Sequence, residues 1–215
     1  MKNRTIILLL LLATIGLTAL AASFPSRGNA DEKAQLAASL QKWLSTLNPS
    51  KNHEKLEPLA GDWDTVTRMY FGGPGTPAVE SRGSSVKKWV LGKRHIMEEH
   101  KGFMMMPDLE TGGMKKTPYE GIGFVGYDNY RNMYAGSWRS NLGTNVLSYT
   151  GSMGPKGKAL RSYGKMDEPM LNVIGRTVKY EMIIANKDQH ILKVYDLHAG
   201  DDYLVFDITY TRKTD

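Results

Sequence analysis

From Gly61 onward, apolar and polar residues alternate with period two in ten short runs. The runs are Asp62–Phe71, Ala78–Val90, Arg94–Met105, Tyr119–Tyr127, Asn132–Ser140, Val146–Ser152, Ala159–Lys165, Arg176–Asn186, Gln189–Leu197 and Tyr203–Arg212. Successive side chains of an extended chain point to opposite faces, so this alternation predicts half-buried β-strands. Turn-forming clusters separate them, among them Gly72-Gly73-Pro74-Gly75, Gly154-Pro155-Lys156-Gly157 and Ala199-Gly200-Asp201-Asp202. The connections are too short for crossover helices, so neighbouring strands are expected to pair antiparallel. The expected fold is all-β, an antiparallel up-and-down barrel of about ten strands, closed so that no edge is exposed. A sandwich is the second architecture compatible with the pattern.

Ahead of the strands the period is helical. Leu36, Leu40, Trp43, Leu44 and Leu47 recur at three- and four-residue spacing, which predicts a helix over Asp31–Leu47 with Asp31 at its start. Asn48-Pro49-Ser50 ends it, and Ser50 is placed to cap a short second helix over His53–Leu59. This N-terminal helical segment, residues 31–60, is expected to cover one end of the sheet formed by residues 61–215.

The first thirty residues have a different character. Lys2 and Arg4 precede eighteen uncharged, leucine-rich residues, Thr5 to Ala22. Ala19-Leu20-Ala21, and later Gly28-Asn29-Ala30, offer small-residue cleavage sites. Residues 1–30 are therefore expected to be a signal peptide and linker, and the protein to be exported, periplasmic or secreted. Left uncleaved, the same segment would anchor the chain in a membrane, the only membrane contact expected. Lys2, Arg4 and Arg27 supply three of the six excess positive charges, so the remainder carries about +3. The pairs Lys87-Lys88, Lys93-Arg94 and Lys115-Lys116 are dispersed and are expected on solvated faces. With no basic stripe interleaved with aromatics, nucleic acid is not an expected partner. Cysteine is absent, which excludes disulfides, thiolate metal sites and a cysteine nucleophile.

Alternation also assigns faces. Glu120, Ile122 and Phe124 share one; so do Tyr134, Gly136 and Trp138; Val178, Tyr180, Met182 and Ile184; and Leu204, Phe206, Ile208 and Tyr210. All four sets are taken as interior. An inward Glu120 needs a partner, for which Arg94 and Arg139 are available. Gly121, Gly123 and Gly126 are expected to mark strand curvature or close approach of another backbone.

The run Pro118-Tyr119-Glu120-Gly121-Ile122-Gly123-Phe124-Val125-Gly126-Tyr127-Asp128, with Tyr134 and Trp138, resembles the bacterial family known as domain of unknown function 1579. Leu59-Ala60-Gly61-Asp62-Trp63 resembles its opening Gly-x-Trp strand. Leu91-Gly92-Lys93-Arg94 followed by Glu98-Glu99 resembles its arginine strand, although His95 and His100 stand where aromatics are usual. Tyr210-Thr211-Arg212-Lys213 resembles its closing Tyr-x-Arg-Lys. The resemblance runs from about Lys55 to the end and implies a lipocalin-like barrel able to hold a small ligand. It implies no activity.

Arg94, Glu99 and Glu120 are the candidate polar ligand-binding residues, expected at the barrel mouth; a structural ion pair is the alternative. Tyr134 and Trp138, with Trp63 and Tyr180, are expected to line a pocket or to pack as plain core. A cavity above about 300 Å³ lined by Trp138, Tyr134 and Glu120 would mark a binding protein. A solid barrel would mark a structural or envelope-interaction module. Glu120 as acid or base would make a hydrolase- or isomerase-like enzyme. No catalytic set, metal site or cofactor is assigned. The five histidines have no chelating spacing, and Gly121-x-Gly123-x-x-Gly126 lies inside a strand with no helix after it. Met97, Met104, Met105, Met106 and Met114 are expected to form adaptable apolar surface. Oligomeric state carries no signal.

Overall fold

Ten strands follow one another around a closed antiparallel barrel in a computed structural model that describes residues 30–169 and 172–214. The expected signal peptide lies outside the described residues. The strands are β1 (Gly61–Met69), β2 (Val79–Val90), β3 (His95–Pro107), β4 (Met114–Asp128), β5 (Met133–Ser140), β6 (Leu147–Met153), β7 (Ala159–Glu168), β8 (Val173–Asn186), β9 (Gln189–Asp196) and β10 (Leu204–Arg212). Each pairs with its sequence neighbours, and β1 closes against β10, with Trp63 opposite Arg212. This is the up-and-down closure used by lipocalins, and it leaves no ladder unpaired at an edge. β4 begins five residues before the expected Tyr119. Its exposed start, Met114 to Lys116, carries no apolar alternation, yet pairs with β3 up to Pro107↔Met114.

The described chain divides into two units at Leu47 and Asn48. In the first, helix α1 (Ala30–Thr46) has no buried residue. The second begins with a plug. A single helical turn, α2 (Lys51–Glu54), is followed by a 3-10 turn, Glu57–Leu59, in place of the continuous helix expected over His53–Leu59. Pro58 supplies no N–H to an i→i−4 bond, so the tighter turn takes over. Leu56 and Leu59 insert among Ile96, Tyr134, Leu160 and Ile184 and fill that end of the barrel. Burial of each leucine contributes about 1.5–3 kcal/mol. The Tyr134 hydroxyl donates to the Asn52 carbonyl at 2.9 Å, and Trp89 Nε1 to Glu57 at 2.7 Å.

Arg212 fastens the plug to the seam. Its guanidinium stacks 4.2 Å from the Trp63 ring and donates to the carbonyls of Ala60 (3.0 Å), Pro58 (3.2 Å) and Lys187 (2.8 Å). Trp63 itself is fully buried and donates Nε1–H to Leu59 O at 3.1 Å. The Gly-x-Trp and Tyr-x-Arg motifs at the two ends of the barrel are thus one structural lock.

Three of the four expected interior faces are observed: those of β5, β8 and β10, with Tyr134, Val178 and Tyr210 each at most 3% exposed. The β4 face is inverted. Tyr119 and Gly123 line the interior, whereas the Glu120 side chain is 65% exposed and Ile122 is 37% exposed. The reason is the Trp138 indole, which lies across Gly121 and Gly123; a Cβ at either position would collide with its ring atoms. Gly121 and Gly123 therefore mainly accommodate a side chain, whereas at Gly126 a Cβ would meet the Arg94 carbonyl oxygen at 2.6 Å as well as the His95 ring, so the expected close approach of another backbone holds there.

Candidate functional site

Beyond the plug the barrel encloses a cavity of about 150 Å³. That is half the expected size, and its lining includes Trp138 but neither Tyr134 nor Glu120. Trp138, Tyr149, Tyr180, Phe206 and Ile208 form its apolar side. Tyr149 lies across Gly136 much as Trp138 lies across Gly121 and Gly123, so glycines on β4 and β5 make room for two rings on the next strand. Tyr149 and Tyr180 pack with centroids 5.2 Å apart, and Trp138 Nε1–H donates to the Tyr119 hydroxyl at 2.9 Å. Burial raises the pKa of Tyr149, and that of Tyr180 to about 12, so both stay neutral.

The polar side is built by β2 and β3. Lys87 and Glu98 are register partners, as are Ser85 and His100. Lys87 Nζ lies 3.3 Å from Glu98 Oε2, 2.9 Å from His190 Nε2 and 3.7 Å from the Tyr210 ring centroid. An ammonium has three N–H groups, and these three contacts use them all. Glu98 Oε1 accepts from Ser85 Oγ at 2.8 Å, and burial, then the Glu98 charge, pushes the Tyr210 pKa well above its ordinary value. Burial lowers the Lys87 pKa, and the Glu98 charge opposes that.

His190 is wholly buried, stacked on Tyr210 at 4.3 Å and edge-on to Trp63 at 4.2 Å. Burial first, then the charges of Lys87 and Arg212, hold its pKa far below the ordinary value. The ring is therefore neutral. Accepting from Lys87 at Nε2 places its proton on Nδ1, which has no partner among the described residues. Burial likewise lowers His100. The polar side thus holds one positive charge, one negative charge and two neutral imidazoles.

The five sequence-derived candidates do not assemble. Arg94 sits in the β2–β3 turn, where Leu91 and Lys93 have positive φ, and its Nη1 donates to the carbonyls of Leu91 (3.2 Å) and Gly92 (3.4 Å). Glu99 points outward and pairs with Lys88 at 3.6 Å. Glu120 is outside, 4.0 Å from Lys101, so it cannot act as an interior acid or base. Tyr134 is inside but packed against the plug. Trp138 alone of the five reaches the cavity. The residues that sequence reasoning missed are Lys87, Glu98, His100, Tyr149 and His190. The signal was present: adjacent residues on a strand face opposite ways, so Lys87-Lys88 and Glu98-Glu99 must each place one charge inside a barrel. Among the described residues no group of three or more histidines or acids could hold a metal ion.

The family model described as Protein of unknown function (DUF1579) matches residues 48–212. The chain belongs to this family. The match opens at the residues that lead into the plug and closes at Arg212, so plug, barrel and seam are together the DUF1579 unit. Among solved structures, an S-type phycobiliprotein lyase, CPES, from Guillardia theta is similar at 12% identity and a TM-score of 0.44, covering 75% of this chain and 92% of that one. No curated protein matches the chain.

Proposed function

We propose that this DUF1579 barrel binds a small, partly apolar molecule in its cavity. The apolar part packs against Trp138, Tyr149 and Tyr180, and the polar end points toward Glu98 and His100. The observation that carries this reading is the cavity itself, about 150 Å³ of space beside a plugged end that is densely filled. Protein interiors are close-packed. Left empty, a hole of this size costs about 3–4 kcal/mol at the ~24 cal/mol per Å³ of core cavities. A ligand restores those contacts. Space of this order accommodates about one aromatic ring. Lys87, with every N–H engaged, is read as structural.

Native mass spectrometry of the protein purified from its own cells tests the reading. A co-purifying small molecule, lost from Trp138→Ala while far-UV circular dichroism is retained, is the expected result. A bare-chain mass, together with no tryptophan quenching across a panel of single-ring compounds, would remove it. We also propose export, from the charge and hydropathy of residues 1–30. Cell fractionation checks this, and retention of the chain in the cytoplasm would contradict it.

A further inference from the structure

We infer that the cavity selects an uncharged single-ring ligand bearing a hydrogen-bond donor, of phenol, indole or aniline type, whose O–H or N–H is received by Glu98. This rests on the binding reading above and specifies its ligand.

Of the residues bordering the cavity, Lys87 and Glu98 are the charged ones at inward positions; Arg82 borders it from an outward, exposed position between Ser81 and Gly83. Their charges cancel at 3.3 Å. An anionic ligand would meet the Glu98 carboxylate and find the three Lys87 N–H groups already directed at Glu98, His190 and Tyr210. A cationic ligand would have to displace Lys87 from its only carboxylate. A cation would then be a third charge beside a displaced Lys87, and an anion would find only Arg82, at an exposed position, as a counterion.

A carboxylate offers about four lone-pair sites. Ser85 and Lys87 take two on Glu98. Two acceptors are left over, and the Glu98 side chain is 16% exposed against 2% for Lys87, so the carboxylate is the more accessible member of the pair. The vacancy calls for a donor. The space is also of about one ring's size and is bordered by three aromatic side chains, Trp138, Tyr149 and Tyr180.

Isothermal titration at pH 7.5 with phenol, toluene, benzoate and benzylamine tests the inference on the full chain. Phenol is expected to bind about 10-fold tighter than toluene, the worth of a hydrogen bond to a charged acceptor, and both charged compounds more weakly than toluene. Lys87→Met combined with Glu98→Leu removes the acceptor without leaving an unpaired charge. It is expected to abolish the preference for phenol while retaining toluene binding. Benzoate or benzylammonium binding as tightly as phenol overturns the inference. Toluene binding as tightly as phenol overturns it too, but leaves the binding reading standing. Binding of none of the four removes both.

Discussion

Lys87 and Glu98 face each other across the β2–β3 ladder, 3.3 Å apart, with the lysine side chain 2% exposed. A buried ion pair of this kind stabilises little relative to an apolar pair, but removing one member is costly because the other charge is left desolvated. Glu98→Gln is therefore expected to destabilise the barrel by about 3–5 kcal/mol in urea unfolding. Adding Lys87→Met should recover at least ~1 kcal/mol of that loss. Additive effects would show that the two side chains do not interact.

Acid lability follows from the imidazoles. His190 and His100 have folded-state pKa values below 6.5, set first by burial. Below pH 6.5 the unfolded chain takes up protons that the folded chain does not, so stability falls as pH falls. The slope is up to ~1.4 kcal/mol per pH unit for each histidine. Denaturation at pH 5, 6, 7 and 8 should show a plateau above about pH 7 and a decline below it. His190→Phe should flatten the decline; an unchanged slope would assign the lability elsewhere.

Gly123 has no room for a side chain beside the Trp138 ring. Gly123→Val is expected to lower stability by about 1–3 kcal/mol through overpacking and to weaken binding of single-ring compounds. Trp138→Ala in the same chain should relieve the stability loss, because it removes the colliding ring. A loss unaffected by Trp138→Ala would place the strain in the backbone.

The ten strands were legible in the sequence because one buried face imposes a strict period of two, and short turns impose antiparallel neighbours. Closure was expected from the run of short antiparallel strands, but the lock at the seam, the Arg212 guanidinium stacked on Trp63 and bonded to carbonyls of the plug, was not. The site was far less legible. On β4 the apolar residues at 122 and 124 drew the inward face to themselves, when glycines were the inward residues and the bulk came from Trp138 on β5. That error carried Glu120 inside, and on the neighbouring strand Glu99 was taken as the candidate where Glu98 is the inward residue. Alternation fixes parity within a strand; only cross-strand packing decides which parity is the core.

Glu120→Gln serves as the control for this distinction. Its side chain is exposed and its ion pair with Lys101 is long, so stability should change by less than about 0.5 kcal/mol, with binding of phenol unaltered. A large loss of binding in this variant would return the site to the outer face of β4.

The central claim, that the barrel interior is a ligand site, is tested most directly by crystallography of the protein soaked in 4-iodophenol, with anomalous scattering used to locate the iodine. An iodine peak is expected inside the barrel, with the ring against Trp138 and Tyr149 and the phenol oxygen within hydrogen-bond distance of Glu98. Side chains filling the cavity, or iodine confined to the outer surface at saturating compound, would contradict it.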